Sequence, residues 1–411
     1  FGAKSLTMVG ALIIAGIFET AGAVIAGGDV VQTISKGIID PDLILDTDTF
    51  LWAMMSAMLA AALWINFATY FGAPVSTTHS IVGGVMGAGI AAAGTAVVDW
   101  TVMAKIAGSW IISPVLGGIV AAIFLAFLKR NVLYQQDPIA AAKHWVPILI
   151  ALMAGVFSAY LSVKGLKKVW KPEPWVVVLI GAGFMAATYA VVNPLIAKRA
   201  ESMNNTKKAI RDLFHLPLIC AAALLSFAHG ANDVANAVAP LAAIVSTAAT
   251  GTVAGVKVGI PTWVLFVGAA GITMGLMLFG PKLIRTVGDK ITRMNPMRAY
   301  CVALSAAITV IIASAIGLPV SSTHIAIGAV FGVGFFREYH TSRGGHINGS
   351  AKKADRPPSK WDLLPAEEKS RRRKLVRRQY LWTIIAAWLI TVPLSAIFAG
   401  GIYAGLRAFL G

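Results

Sequence analysis

Two nine-residue segments carry the densest chemistry in the chain. Gly72-Ala73-Pro74-Val75-Ser76-Thr77-Thr78-His79-Ser80 matches Gly317-Leu318-Pro319-Val320-Ser321-Ser322-Thr323-His324-Ile325, at a spacing of 245 residues. Each interrupts apolar sequence with a proline followed by hydroxyl side chains. Proline breaks a continuing helix but suits the first turn of a new one. Hydroxyl residues after it cap that new helix. A helix start inside apolar surroundings presents free N–H donors and the positive end of a dipole, which together bind anions without Lys or Arg. Two such starts brought together would surround one tetrahedral oxyanion with Ser76, Thr77, Thr78, Ser321, Ser322 and Thr323. The competing reading is a proline kink whose Ser and Thr bond back to their own helix. Two nearly identical copies argue against it. His79 and His324 admit both a core role and contact with substrate.

The second motif is Gly230-Ala231-Asn232-Asp233-Val234-Ala235-Asn236-Ala237. A carboxylate in apolar sequence is costly unless paired. Asn232 and Asn236 stand four residues apart, on one helical face. Two amide oxygens and the Asp233 carboxylate offer a hard-cation site suited to Na⁺, or Asp233 alone a proton site. The alternative is a polar clamp between helices. Glu19, in Phe18-Glu19-Thr20, is a third candidate: a coupling carboxylate or a buried structural hydrogen bond. A negative aspartate beside an oxyanion is tolerable if a cation, or a proton on the anion, lies between them. Either route makes anion binding depend on the cation, which is coupling.

The elements that must position these groups are membrane spans. Of 411 residues, 57% are hydrophobic and 13% charged, too few charges for a soluble surface of this size. A span needs about 20 apolar residues, and apolar stretches recur along nearly the whole chain, over Leu6–Ala26, Phe50–Phe71, Ser80–Val98, Val102–Leu128, Trp145–Val163, Trp175–Ala197, Leu216–Val245, Thr262–Phe279, Tyr300–Ile316, Ile325–Phe336 and Tyr380–Tyr403. They are rich in Ala and Gly, which let membrane helices approach closely. The two cysteines, Cys220 and Cys301, lie in apolar sequence and read as small core residues. The net charge of +17 sits in loops, so it reads as membrane topology and anionic-lipid contact rather than nucleic-acid binding.

The motif repeat extends to Trp110-Ile111-Ile112-Ser113-Pro114, which resembles Trp388-Leu389-Ile390-Thr391-Val392-Pro393 at a spacing of 278, the excess absorbed by a long basic loop. Counterpart loops carry opposite charge. Gly28–Thr49 holds Asp29, Asp40, Asp42, Asp46 and Asp48 against Lys36, while Pro281–Arg298 holds Lys282, Arg285, Lys290, Arg293 and Arg298 against Asp289. Positive loops face the cytoplasm, so the halves read as inverted repeats, a common plan of secondary transporters with the site near midplane. Lys164, Lys167, Lys168 and Lys171 run against this scheme, which places their loop outside. The organisation predicted is a first repeat over 1–130 lacking its first span, connecting spans over 131–212, and a second repeat over 213–336. A basic cytoplasmic loop over 337–378 and a final span over 379–411 complete it.

On the Gly230–Ala237 motif, the paired Pro-Val-Ser-x-Thr-His segments and Phe18-Glu19-Thr20, the chain resembles the inorganic phosphate transporter (PiT) family over essentially its whole length. The resemblance implies an all-α polytopic membrane protein: an inverted-repeat helical bundle with two re-entrant hairpins, generally a homodimer. It implies import of inorganic phosphate with Na⁺ or H⁺, no other cofactor, and no enzymatic activity. The expected location is a bacterial-type inner (plasma) membrane. By motif position, Asn232, Asp233 and Asn236 look like the ion and phosphate residues, and the Ser and Thr residues of the two tips like phosphate donors. The family carries the Gly-Ala-Asn-Asp motif in both halves, and this chain shows it once. The repeat spacing places a second copy before Phe1. Many relatives carry a glutamate before the second hairpin where this chain reads Val302-Ala303-Leu304, which leaves the coupling ion open. A sulfate permease of the same fold and a passive anion channel are the rival readings. The channel needs no cation site, and the embedded carboxylates argue against it.

Overall fold

The computed structural model describes all residues except 1, 2, 4, 45, 74, 166–170, 204, 254–259, 289–293, 343–377 and 411. Most of the basic loop expected over 337–378 therefore lies outside the described residues, as does Pro74. Among the described residues the architecture is helical. In chain order the helices are α1 (Met8–Ala26), α2 (Gly28–Lys36), α3 (Thr47–Tyr70), α4 (Thr77–Ala93), α5 (Trp100–Leu128), α6 (Pro138–Lys164) and α7 (Pro174–Glu201). They continue with α8 (Lys207–Leu213), α9 (His215–Asp233), α10 (Ala235–Thr250), α11 (Thr262–Gly288), α12 (Pro296–Ala315), α13 (Ser322–Ser342) and α14 (Arg378–Leu410). Among the described residues, nine segments are long and apolar enough to cross a membrane. Helix α7 shows the solvent these surfaces are built for: Trp175, Val178, Leu179, Phe184, Val191 and Leu195 are all exposed, an arrangement stable in lipid and not in water.

The apolar stretch Leu216–Val245 reads in sequence as one span. It falls within one candidate span, Ala209–Thr250, in which a single residue, Val234, separates α9, ending at Asp233, from α10, beginning at Ala235. Backbone bonding stays local across the joint, with Val234 N–H donating to Gly230 O at 3.2 Å and Val238 N–H to Val234 O at 2.9 Å. The irregularity therefore falls at the ionisable residue.

The two matching segments take up similar local structure and packing. Helices α3 and α4 form one hairpin, α12 and α13 the other. Both first arms end alike. Gly72 and Gly317 take left-handed backbone (φ 69° and 72°), and the next residue's N–H bonds back five residues, Ala73 to Ala68 O and Leu318 to Ala313 O. That is a glycine-terminated helix end that only a residue without Cβ adopts freely. The second arms start alike: Ser76 Oγ accepts His79 N–H at 3.2 Å and Ser321 Oγ accepts His324 N–H at 3.3 Å.

The helices that cover the hairpins are exchanged between halves. Helix α5, from the first half, lies along α13; α14, from the second, lies along α4. The crossings match residue for residue. A Cβ added at Gly83 would meet Val392 O and one at Gly87 would meet Ala396 O, while Gly328 faces Pro114 O and Gly332 faces Gly118 O. The partners differ by the same spacings of 245 and 278 found in the sequence. One counterpart pair touches directly, the rings of His79 and His324 lying 4.6 Å apart, and α1 meets α11 where Thr20 Oγ1 lies 2.9 Å from Thr273 Oγ1.

Candidate functional site

The hairpin tips meet at α9. Helix α1 crosses α9 at backbone contact, because Gly230 faces the carbonyl of Glu19 and Gly22 that of Phe227; a Cβ at either would stand 2.0 Å from that oxygen. This close crossing sets Glu19 beside α9. The result is a linear arrangement of ionisable groups: Glu19 Oε1 lies 3.0 Å from His229 Nδ1, and His229 Nε2 lies 3.2 Å from Asp233 Oδ2. Both ring nitrogens face carboxylate oxygens, which accept and do not donate, so an imidazolium satisfies both contacts. Two carboxylates and one imidazolium leave the group with a net negative charge.

Both hairpins reach this group. Thr77 Oγ1 donates to Asp233 Oδ2 at 3.1 Å from the first tip, and Ser322 Oγ donates to the same carboxylate at 3.3 Å from the second. Hydrogen-bond direction then fixes the remaining side chains. The Thr77 proton is directed to Asp233, and the Thr78 proton to Val320 O at 3.1 Å. Both hydroxyls are therefore acceptors for Asn236 Nδ2, at 3.1 and 3.3 Å. Asn232 Nδ2 donates to Ser314 Oγ at 2.8 Å and to Leu318 O at 3.4 Å. A carbonyl cannot donate, so this amide is oriented by its partner. The carbonyl oxygens of Asn232 and Asn236 are left buried with no hydrogen-bond partner. An unsatisfied buried acceptor costs about 1–3 kcal/mol, and an amide oxygen is a ligand type that suits a hard cation.

The residues named from sequence are thus largely brought together. Asp233 joins Thr77 and Ser322 directly, and Asn236 joins Thr77 and Thr78. Asn232 and Asn236 diverge across the helix break, one toward the neck of the second hairpin and the other toward the tip of the first. Ser76 and Ser321 are buried caps of α4 and α13. Thr323 lies half-buried in the first turn of α13. None of the side chains bonded to Asp233, Asn232 or Asn236 among the described residues is Lys or Arg. His79 and His324 are buried and stacked, His79 on Trp110 at 3.6 Å and His324 on Trp388 at 3.8 Å between ring centroids. Trp110 Nε1 donates to Pro319 O at 3.1 Å, tying the exchanged helix α5 to the second tip.

Sequence reasoning missed His229 and Ser314. The signal for His229 was present: it stands one turn before Asp233, so its side chain shares that residue's face. Ser314 carried no signal, since only the fold of the second tip brings it to Asn232.

Comparison with known proteins gives a consistent set of relatives. A model of the phosphate transporter family matches residues 1–399. A Helicobacter pylori protein named as a candidate phosphate permease is 42% identical over 449 aligned residues, covering 98% of this chain and 84% of the relative. One from Pyrococcus furiosus, likewise named as a candidate phosphate permease, is 36% identical over 100% of this chain and 90% of its own. Among solved structures, one described as the sodium-dependent phosphate transporter matches with a TM-score of 0.85 at 34% identity, covering 100% of this chain and 92% of that one.

Proposed function

The chain belongs to the phosphate transporter family, and we propose that it imports inorganic phosphate by symport with Na⁺ at the meeting point of the two hairpin tips. The observation that carries this reading is the convergence of Thr77 and Ser322, one from each tip, on the Asp233 carboxylate. A phosphate oxygen arriving there exchanges with the carboxylate for those two hydroxyl protons. The first-turn N–H groups of α4 and α13 supply further donors.

Coupling follows from charge. At about 4 Å, with an effective dielectric constant near 20, like unit charges repel by roughly 4 kcal/mol. A phosphate anion beside the Glu19–His229–Asp233 group carries that penalty until a cation lies between them. Roughly 4 kcal/mol is about a thousandfold in affinity, enough to make anion binding conditional on the cation. The oxygens of Asn232, Asp233 and Asn236 are the cation's ligands in this reading. The solved relative is sodium-dependent, which favours Na⁺ over H⁺ here. Glu19 acts through His229, holding the imidazole against Asp233.

In the same reading the bundle is an inverted repeat, the two hairpins are re-entrant, and the loop Gly28–Thr49 faces outside with Pro281–Arg298 inside. The protein works as a homodimer in a bacterial-type inner membrane. Uptake of labelled phosphate into proteoliposomes, with Na⁺ and pH gradients varied separately, tests the function. Uphill accumulation driven by Na⁺ alone is expected. Accumulation driven only by the pH gradient would move the coupling to H⁺, and equilibration without accumulation would leave a passive pathway.

A further inference from the structure

The meeting point of the tips is rich in hydrogen-bond acceptors and poor in donors. Most of its side-chain donors are committed. Thr78 gives its proton to Val320 O, and the Asn232 amide donates to Ser314 and Leu318. The Asn236 amide donates to Thr77 and Thr78. The Thr77 and Ser322 hydroxyls can turn from Asp233 toward an anion, beside the free N–H groups of the two helix starts. Acceptors stay open. The carbonyl oxygens of Asn232 and Asn236 have no partner among the described residues. The two edges of the Asp233 carboxylate also differ. Oδ2 is shared by Thr77 at 3.1 Å, His229 Nε2 at 3.2 Å and Ser322 at 3.3 Å, whereas the contact printed on Oδ1 is Ser322 alone, at 3.4 Å.

An anion that takes the Thr77 and Ser322 protons leaves Asp233 short of both hydroxyl donors. Its side chain is only 9% exposed, so water replaces them poorly. Hydrogenphosphate brings a donor of its own, the proton on one of its oxygens. Sulfate, of the same charge and nearly the same size, brings none, and sets a bare oxygen against Oδ1. A site whose buried polar groups meet a substrate O–H rejects the analogue lacking it far more strongly than a site that reads size. The carboxylate is the strongest acceptor present, because a hydrogen bond to it is charge-assisted and one to an amide oxygen is not.

Resting on the phosphate-symport reading, we infer that Asp233 Oδ1 accepts the substrate's own O–H and so selects proton-bearing tetrahedral oxyanions over bare ones. Hydrogenphosphate and hydrogenarsenate belong to the accepted class, sulfate and selenate to the rejected one. A cation on the Asn232 and Asn236 oxygens leaves this contact available, because a carboxylate has two edges. His229 meets Asp233 through Nε2 while its other nitrogen faces Glu19, which holds the carboxylate in place as an acceptor. The aspartate beside the anion is in this way a filter for the substrate's proton as well as a ligand for the coupling ion.

The experiment uses the full chain in proteoliposomes at mildly alkaline pH, where all four anions carry the same charge and only phosphate and arsenate keep a proton. Na⁺-driven uptake of labelled phosphate is measured against each unlabelled anion. Arsenate should inhibit at concentrations near those of unlabelled phosphate, and sulfate and selenate at concentrations about a hundredfold higher or more. Inhibition by sulfate and selenate at phosphate-like concentrations overturns the inference and leaves the symport reading standing. Absence of Na⁺-driven uptake overturns that reading and the inference with it. The role of Asp233 is read from equilibrium binding of labelled phosphate, displaced by sulfate, at saturating Na⁺. Asp233→Asn presents an amide that donates as well as accepts, so the gap between the two anions should fall to about tenfold or less. A gap of wild-type size in this variant overturns the assignment. Asp233→Glu keeps the carboxylate and decides the case in which Asp233→Asn binds neither anion: a retained gap supports the assignment, and a lost gap overturns it.

Discussion

Replacing Asp233 by asparagine keeps the side chain's shape and removes its charge. In the structure that carboxylate accepts from Thr77 at 3.1 Å and from Ser322 at 3.3 Å, and faces His229 Nε2 at 3.2 Å. Hydrogen bonds to a charged partner contribute about 1.5–3 kcal/mol each and neutral ones about 0.5–1.5. The difference, near 1 kcal/mol per contact, comes to about 3 kcal/mol over three contacts. In the proposed reading the cation also loses a charged ligand of comparable worth. At 1.4 kcal/mol per tenfold, about 3 kcal/mol raises the Na⁺ concentration needed for half-maximal uptake by roughly a hundredfold. The assay is initial-rate uptake of labelled phosphate into proteoliposomes across a wide Na⁺ range at constant ionic strength. Circular dichroism and elution volume report folding. An Asp233→Asn protein that folds and accumulates phosphate with the wild-type Na⁺ dependence would refute the placement of Asp233 in the coupling step.

Thr77→Val and Ser322→Ala each remove one hydroxyl from the pair converging on Asp233. Each should raise the half-saturating phosphate concentration by about tenfold, read from uptake kinetics, with Na⁺ dependence less affected than in Asp233→Asn. Gly230→Ala puts a methyl 2.0 Å from the Glu19 carbonyl, so α1 and α9 must part. A loss of about 1–3 kcal/mol is expected as a lower thermal unfolding temperature, together with reduced transport as Glu19 is drawn from His229. Single cysteines at Asp42 and at Arg285 should react with membrane-impermeant reagents from opposite sides of the membrane. Labelling of both from one side would defeat the inverted arrangement.

Much of the candidate site's local structure was legible because it depends on local sequence. The hairpin breaks, their glycine ends and their serine caps follow from residues within one turn of each other, and both copies behave as the segments Gly72–Ser80 and Gly317–Ile325 suggest. The helix break at Val234 was not legible, since nothing in Asp233-Val234-Ala235 forbids a continuous helix. Long-range partners were hidden for the same reason. The divergence of Asn232 and Asn236 depends on which tip each helix meets. His229 could have been found by asking what would neutralise two carboxylates in apolar sequence. Ser314 could not.

The exchange of α5 and α14 bears on how the molecule is made. Gly83 and Gly87 have their backbone partners at Val392 and Ala396, about three hundred residues later in the chain. During synthesis the first hairpin therefore emerges with its covering helix still unmade, and contacts of such sequence separation form late. The first half cannot be a finished folding unit, nor can the second, which borrows α5. A chain cut anywhere before α14 would leave an intact first hairpin with a bare glycine groove. Damage to α14 would thus be felt first at α4.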